Sequence, residues 1–179
     1  MQVSDYPLRK EIKISNVVCT ANLNQPVDIA SFNNYQYLHS DLSLYRCGYV
    51  KDNKMIGRVT VFGNGKLISV GTKSPDQSER ELIRASKILK KYHLIKSCTL
   101  EPMVRNIVAS ASLNKNFNLI KLAMRLPRCI YEPEQFPAAI YKIHESIVAL
   151  IFASGKVIIV GTKTLTELNR AYFELQQLI

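Results

Sequence analysis

The residues of this chain that can do chemistry come in pairs at a constant interval. Phe62-Gly63-Asn64-Gly65-Lys66 is matched by Phe152-Ala153-Ser154-Gly155-Lys156, Gly71-Thr72-Lys73 by Gly161-Thr162-Lys163, and Asn16 by Asn106, each 90 residues later. Carboxamides exchange hydrogen bonds, aromatic rings stack or wedge, and lysines neutralise phosphates. None of these is an activated nucleophile or a paired acid and base, so no enzymatic activity is expected. Gly63-Asn64-Gly65-Lys66 has the glycines and lysine of a phosphate loop, but it lacks the full G-x-x-x-x-G-K-[ST] pattern and precedes a strand, which argues against nucleotide binding. The four cysteines, Cys19, Cys47, Cys98 and Cys129, have no C-x-x-C spacing and no histidine at ligand intervals, and His39, His93 and His144 stand singly. Reduced thiols in a cytosolic setting are expected, with no metal, cofactor or disulfide framework.

Composition narrows the partner. Lys and Arg outnumber Asp and Glu by 24 to 14 in 179 residues, a formal charge of +10 that favours an anionic ligand such as nucleic acid. With 47% hydrophobic residues the chain can build one core or two. No apolar run reaches the roughly 20 residues needed to cross a bilayer, and the N-terminus lacks a secretory pattern. A soluble intracellular protein with no membrane partner is expected.

The elements that position the pairs are readable from periodicity. A polar leader, 1–10, precedes a first repeat, 11–95, and a second, 96–179. Glu11 to Leu23 alternates as a strand, with Asn16, Val18 and Thr20 on one face and Val17, Cys19 and Ala21 on the other. Pro26 opens a short helix burying Val27, Ile29, Ala30 and Phe32, and Asn33-Asn34 ends it. Tyr45 to Val50, Ile56 to Phe62 and Leu67 to Val70 read as three strands. Ser74, Pro75 and Gln77 form the start of a long helix whose inner face is Leu82, Ala85, Ser86 and Leu89. The plan then repeats: a strand from Val104 to Leu113, a short helix with Leu119, Ile120, Leu122 and Ala123 stopped by Pro127, strands at 138–143, 147–152 and 156–160, and a closing helix capped by Thr164 and Glu167. Its apolar face is Leu168, Ala171, Tyr172 and Leu175.

The expected fold class is therefore α+β: two pseudo-symmetric repeats that, packed edge to edge, form one antiparallel sheet with helices on one face and the other open. Alternation puts Asn16, Val18, Thr20, Ile68 and Val70 on the open face, with Asn106, Val108, Ser110, Ile158 and Val160 from the second repeat. An uncovered apolar face bounded by lysines marks a contact surface. It suits the DNA minor groove, where A·T and T·A pairs present nearly the same acceptors to amide donors and flat aliphatic side chains.

Glu132-Pro133-Glu134-Gln135-Phe136-Pro137, the two Phe-x-x-Gly-Lys segments, the Gly-Thr-Lys after each, and Asn106-Ile107-Val108-Ala109-Ser110 together resemble the TATA-box-binding protein family, nearest its archaeal members. The resemblance covers residues 11–179 and implies a curved, saddle-shaped sheet with helices on the convex side. It implies DNA-intercalating wedges at Phe62, Phe136 and Phe152, with Tyr45 as the fourth through a one-residue indel. Asn16 and Asn106 match the central hydrogen-bonding asparagines, and Val18, Val108, Ile68 and Ile158 the aliphatic floor. Lys51, Lys66, Lys73, Lys142, Lys156 and Lys163 match phosphate-facing positions, and Glu132, Glu134 and Gln135 the loop that docks transcription factor B.

Two departures stand out. Val70 and Val160 replace threonines usual in the family, and Asp41-Leu42-Ser43-Leu44-Tyr45-Arg46 replaces the first repeat's copy of the acidic loop. The resemblance implies a general transcription initiation factor that binds and bends A·T-rich promoter DNA and recruits transcription factor B and the RNA polymerase machinery, with no small-molecule substrate. It would act in the cytoplasm at the nucleoid, or in a nucleus if eukaryotic. The alternative is a regulator that keeps the transcription factor B loop without competent TATA recognition.

Overall fold

Alternation of buried and half-exposed residues, expected for strands covered on one side, runs through every long strand. The computed structural model describes residues 8–179, so residues 1–7 of the expected leader lie outside the described residues. In the first repeat these strands are β1 (Lys13–Asn22), β2 (Leu38–Ser40), β3 (Cys47–Val50), β4 (Arg58–Phe62) and β5 (Lys66–Thr72), followed by helix α1 (Pro75–Lys91). They hydrogen-bond in the order β2-β3-β4-β5-β1, all antiparallel. The second repeat supplies β6 (Met103–Ser112), α2 (Leu119–Arg125), β7 (Cys129–Ile130), β8 (Ala138–Lys142), β9 (Val148–Phe152), β10 (Lys156–Thr162) and α3 (Leu165–Leu178), with strand order β6-β10-β9-β8-β7. Residues Asn16–Arg105 make one compact unit, and Asn106–Ile179 makes the other together with the described residues before Asn16.

Each unit has its own core. In the first, Cys19, Phe32, Val59, Val61 and Leu67 meet Leu82, Ala85 and Leu89 of α1. In the second, Ile107, Ile151, Val157 and Ile159 are buried, as are Leu168, Ala171, Tyr172 and Leu175 of α3, and the Tyr172 hydroxyl donates to Ser112 O at 2.9 Å. Burial pushes the Cys19 thiol up, as expected of a small core residue. Both long helices start as their sequences require: Ser74 Oγ accepts from Gln77 N, and Thr164 Oγ1 from Glu167 N, at 3.2 and 3.1 Å. The residues entering β1 are tied to α3, where Arg9 N donates to Asn169 Oδ1 at 3.2 Å and its guanidinium lies 5.3 Å from the Phe173 ring centre.

Four details differ from the sequence reading. The segment after Pro26 is not a helix beyond a single 3-10 turn at Phe32–Asn34. Asp28 Oδ1 accepts from Ala30 N at 3.1 Å, only two residues on, a local turn that competes with the first helical turn. In the second repeat Asn118 caps Lys121 N at 3.0 Å and α2 forms. The short edge strands β2 and β7 have no alternation long enough to read from sequence. β3 begins at Cys47 and β4 at Arg58, so Tyr45 and Ile56 lie in the connections before them. On α1, Ser78 and Glu81 are buried in place of Ser86, which is half-exposed. Among the described residues no helix is long and apolar enough to cross a membrane, and no cluster of His, Cys, Asp or Glu could hold a metal ion.

Candidate nucleic-acid interface

The side of each sheet opposite its helices carries the residues singled out by alternation. Asn16, Val18, Thr20, Ile68 and Val70 are half-exposed in the first repeat and alternate with buried Val17, Cys19 and Ser69, as Asn106, Val108, Ser110, Ile158 and Val160 do with buried Ile107, Ala109 and Ile159 in the second. Cross-strand pairing sets Thr20 against Ile68 and Ser110 against Ile158, so each floor is one continuous patch.

A β-bulge shapes the centre of each patch. In the first repeat Val17 pairs with Thr72 and Cys19 with Ser69, so Val18 alone faces both Val70 and Gly71. In the second, Ile107 pairs with Thr162 and Ala109 with Ile159, so Val108 faces Val160 and Gly161. The extra residue takes a left-handed conformation, φ +90° at Gly71 and +96° at Gly161, which favours glycine. Its N–H leaves the ladder and finds an asparagine: Gly71 N donates to Asn16 Oδ1 at 2.7 Å, and Gly161 N to Asn106 Oδ1 at 2.8 Å. Only the amide oxygen can accept from N–H, so this bond fixes which way each carboxamide is turned. The oxygens are consumed within the protein, and both Nδ2 groups are left to donate.

The wedge positions lie at the ends of the floors. Phe136 and Phe152 form a tilted pair with ring centres 6.4 Å apart. Tyr45 is 60% exposed against 39% for Phe136, and Phe62 is half-buried at the end of β4. The one-residue indel needed to place Tyr45 falls in the β3–β4 connection. β3 and β8 are related by 91 residues, because Cys47 pairs with Phe62 as Ala138 pairs with Phe152, whereas β4 and β9 are related by 90. The extra residue lies within 51–57, and two side chains clamp that loop. Glu81 Oε1 accepts from Ile56 N and Gly57 N at 2.8 and 2.9 Å, and Lys51 Nζ donates to the carbonyls of Ile56 and Gly57 at 2.6 Å each.

Lys51 therefore has two of its three donors committed. Lys142 pairs with Glu145 at 3.0 Å, and that ion pair holds the Glu145 carboxyl below its usual range. Lys66, Lys73, Lys156 and Lys163 are exposed at the ends of β5 and β10. The loop expected to dock a protein, Glu132, Glu134 and Gln135, is exposed around a tight turn in which Gln135 N and Phe136 N both donate to Glu132 O at 3.0 Å. Its counterpart keeps the same turn, with Leu44 N and Tyr45 N donating to Asp41 O at 3.2 and 2.9 Å. The backbone is conserved between the repeats while the chemistry changes from acidic to apolar, with Leu42 and Leu44 exposed.

The open faces also carry residues that sequence reasoning did not single out: Tyr49, Arg58 and Thr60 in the first repeat, Ile140, Val148 and Leu150 in the second. The signal that could have found them is the same 90- and 91-residue offset, applied to positions that differ rather than to those that match.

Two α+β repeats, each with one sheet face under helices and the other carrying a fixed carboxamide, aliphatic floor and aromatic ends, define a class of repeat protein with one uncovered sheet face per repeat. Comparison narrows the class to a family. The sequence profile described as "Transcription factor TFIID (or TATA-binding protein, TBP)" matches residues 11–92 and 101–179, and the chain belongs to this family. It is 38% identical to the TATA-box-binding protein of Cenarchaeum symbiosum over 93% of both chains. It is 35% identical to the TATA-box-binding protein of Sulfolobus acidocaldarius, covering 93% of this chain and 86% of that one. The solved structure of Methanococcus jannaschii TBP superposes with a TM-score of 0.82 at 28% identity, covering 94% of this chain and 97% of that one. The α+β class expected from the sequence is thereby established.

Proposed function

We propose that this chain is a transcription initiation factor that binds A·T-rich promoter DNA through the minor groove, bends it, and presents its second-repeat loop to transcription factor B. The observation that carries the reading is the pair of locked carboxamides. With both oxygens bonded to bulge glycines, the centre of each floor offers donors to a groove whose A·T pairs present only acceptors, A N3 and T O2. The aliphatic floor of Val18, Ile68, Val70, Val108, Ile158 and Val160 tolerates either order of A and T. The Phe136–Phe152 pair is poised as a wedge, with Phe62 and Tyr45 as its counterparts in the first repeat, and unstacking a base step there exchanges deformation energy for buried contact. Lys66, Lys73, Lys156 and Lys163, with Lys142 and the third donor of Lys51, supply phosphate neutralisation. Glu132, Glu134 and Gln135 stand exposed for a protein partner. The names of the relatives support the TATA specificity.

Gel-shift and bending assays with TATA-containing and scrambled duplexes, with and without transcription factor B and at two salt concentrations, test the reading. The TATA duplex is expected to be bound and bent in preference, and transcription factor B to strengthen the complex. No binding or bending of any duplex, even with that partner, rejects it. Phe136→Ala combined with Phe152→Ala is expected to reduce bending more than salt sensitivity.

A further inference from the structure

The two open faces differ where the repeats do not match. On the first, Tyr49 pairs with Thr60, Thr60 with Ile68 and Arg58 with Val70. On the second, the corresponding residues are Ile140, Leu150, Ile158, Val148 and Val160, an unbroken hydrocarbon surface. Arg58 alternates outward with Thr60 and Phe62 against buried Val59 and Val61, and its guanidinium lies 4.7 Å from the centre of the Tyr49 ring. The Glu81 and Lys51 clamp on Ile56 and Gly57 fixes the backbone immediately before it.

The chemistry of these differences is definite. In the minor groove a G·C pair differs from A·T by the guanine N2 amino group, a donor. Leu150 has no acceptor for it and would leave that donor buried and unpaired, whereas the Thr60 hydroxyl can accept from it. The donors of Arg58 suit the O2 and N3 acceptors that every base pair presents. We infer, on the basis of the DNA-binding reading above, that the two repeats read their half-sites with different stringency: the first, through Thr60, accepts a G·C pair, with Arg58 donating to acceptors common to every pair, and the second, through Leu150, rejects it. The protein thereby acquires a preferred orientation on an otherwise symmetric site.

A self-complementary, all-A·T duplex supplies the test, since the protein can turn so that a lone G·C pair falls under the first repeat. Binding is measured by fluorescence anisotropy to this parent, to a duplex with one A·T→G·C change, and to one with the change at both symmetric positions, scanning the position across the site. At the discriminating position the single change is expected to weaken binding about threefold or less, and the double change about tenfold or more. Thr60→Leu is expected to make the single change as costly as the double change is to the wild type, about tenfold or more. Leu150→Thr should make the double change tolerable, and thermal melts confirm that each variant folds. Arg58→Val is expected to weaken all duplexes by a common factor with an unchanged salt slope.

A single change that costs tenfold or more at every position in the wild type, or a Thr60→Leu profile identical to wild type, overturns the inference while leaving the DNA-binding reading intact. A salt slope reduced by about one in Arg58→Val places that guanidinium on a phosphate and removes it from the readout. Failure to bind the parent duplex above a G·C-rich duplex of equal length rejects the DNA-binding reading, and the inference falls with it.

Discussion

The carboxamide of Asn106 has a protein side and a ligand side, and the two can be separated by substitution. Asn106→Asp keeps an oxygen to accept from Gly161 N but replaces the outward donor with an anion. Melting temperature is expected to change little, while affinity for A·T-rich duplex falls by about 2–5 kcal/mol, as for a charge buried without a partner. Asn106→Ala should lower both. Asp52 is a second residue with a measurable signature. Its side chain is 7% exposed and bonded to Arg84, whose guanidinium holds the carboxyl below its usual range. A carboxyl with a lowered folded-state value stabilises the fold above the unfolded value of about 3.9, and the contribution is lost as pH falls through the folded one. Asp52→Asn is therefore expected to cost about 1–2 kcal/mol at pH 7, trimmed by the 38% exposure of Arg84, and the gap from wild type should narrow below about pH 4 in urea titrations.

Among the elements, the bulged strands β5 and β10 share a conformation but not an environment. A Cβ on Gly161 would lie 1.7 Å from Ser146 O, whereas on Gly71 its nearest neighbour would be Gly57 Cα at 3.2 Å. Both substitutions carry the left-handed penalty of about 1–2 kcal/mol, and only Gly161→Ala adds a backbone collision. Chemical denaturation should rank Gly161→Ala well below Gly71→Ala in stability. The helix caps, the long strands and the 90-residue offset were legible because each depends on local chemistry or simple alternation. The stretch after Pro26 was not, because Asp28 accepts from Ala30 N, two residues on, where Asn118 at the matching position reaches Lys121 N, three residues on, and caps a helix. Nor was the role of Glu81. A glutamate on a long helix reads as solvated surface, and only the longer β3–β4 connection explains why this one is buried beneath Ile56 and Gly57.

For the whole molecule, a formal charge of +10 makes salt the natural probe. Lys66→Gln with Lys156→Gln is expected to reduce the slope of log K against log salt by about two, with base preference unchanged. Lys51→Gln is a contrasting case. Its bonds to Ile56 and Gly57 carbonyls predict a lower melting temperature, with a smaller effect on the slope. Internal repetition makes the two α+β halves legible in the sequence. The same repetition hides what makes the halves unequal, because Arg58, Thr60 and Tyr49 have no matching residues in the second repeat.

The asparagine–glycine bonds have a further consequence for how association is divided thermodynamically. Asn16 and Asn106 lose their rotational freedom when the chain folds, so no entropy remains to be surrendered there when a ligand arrives. The exposed Lys66, Lys156 and Lys163 still hold theirs, about 0.5–1.5 kcal/mol per side chain on being immobilised. The surface is thus a frozen floor inside a mobile rim, and calorimetry of rim variants should report changes in binding entropy that floor variants do not share.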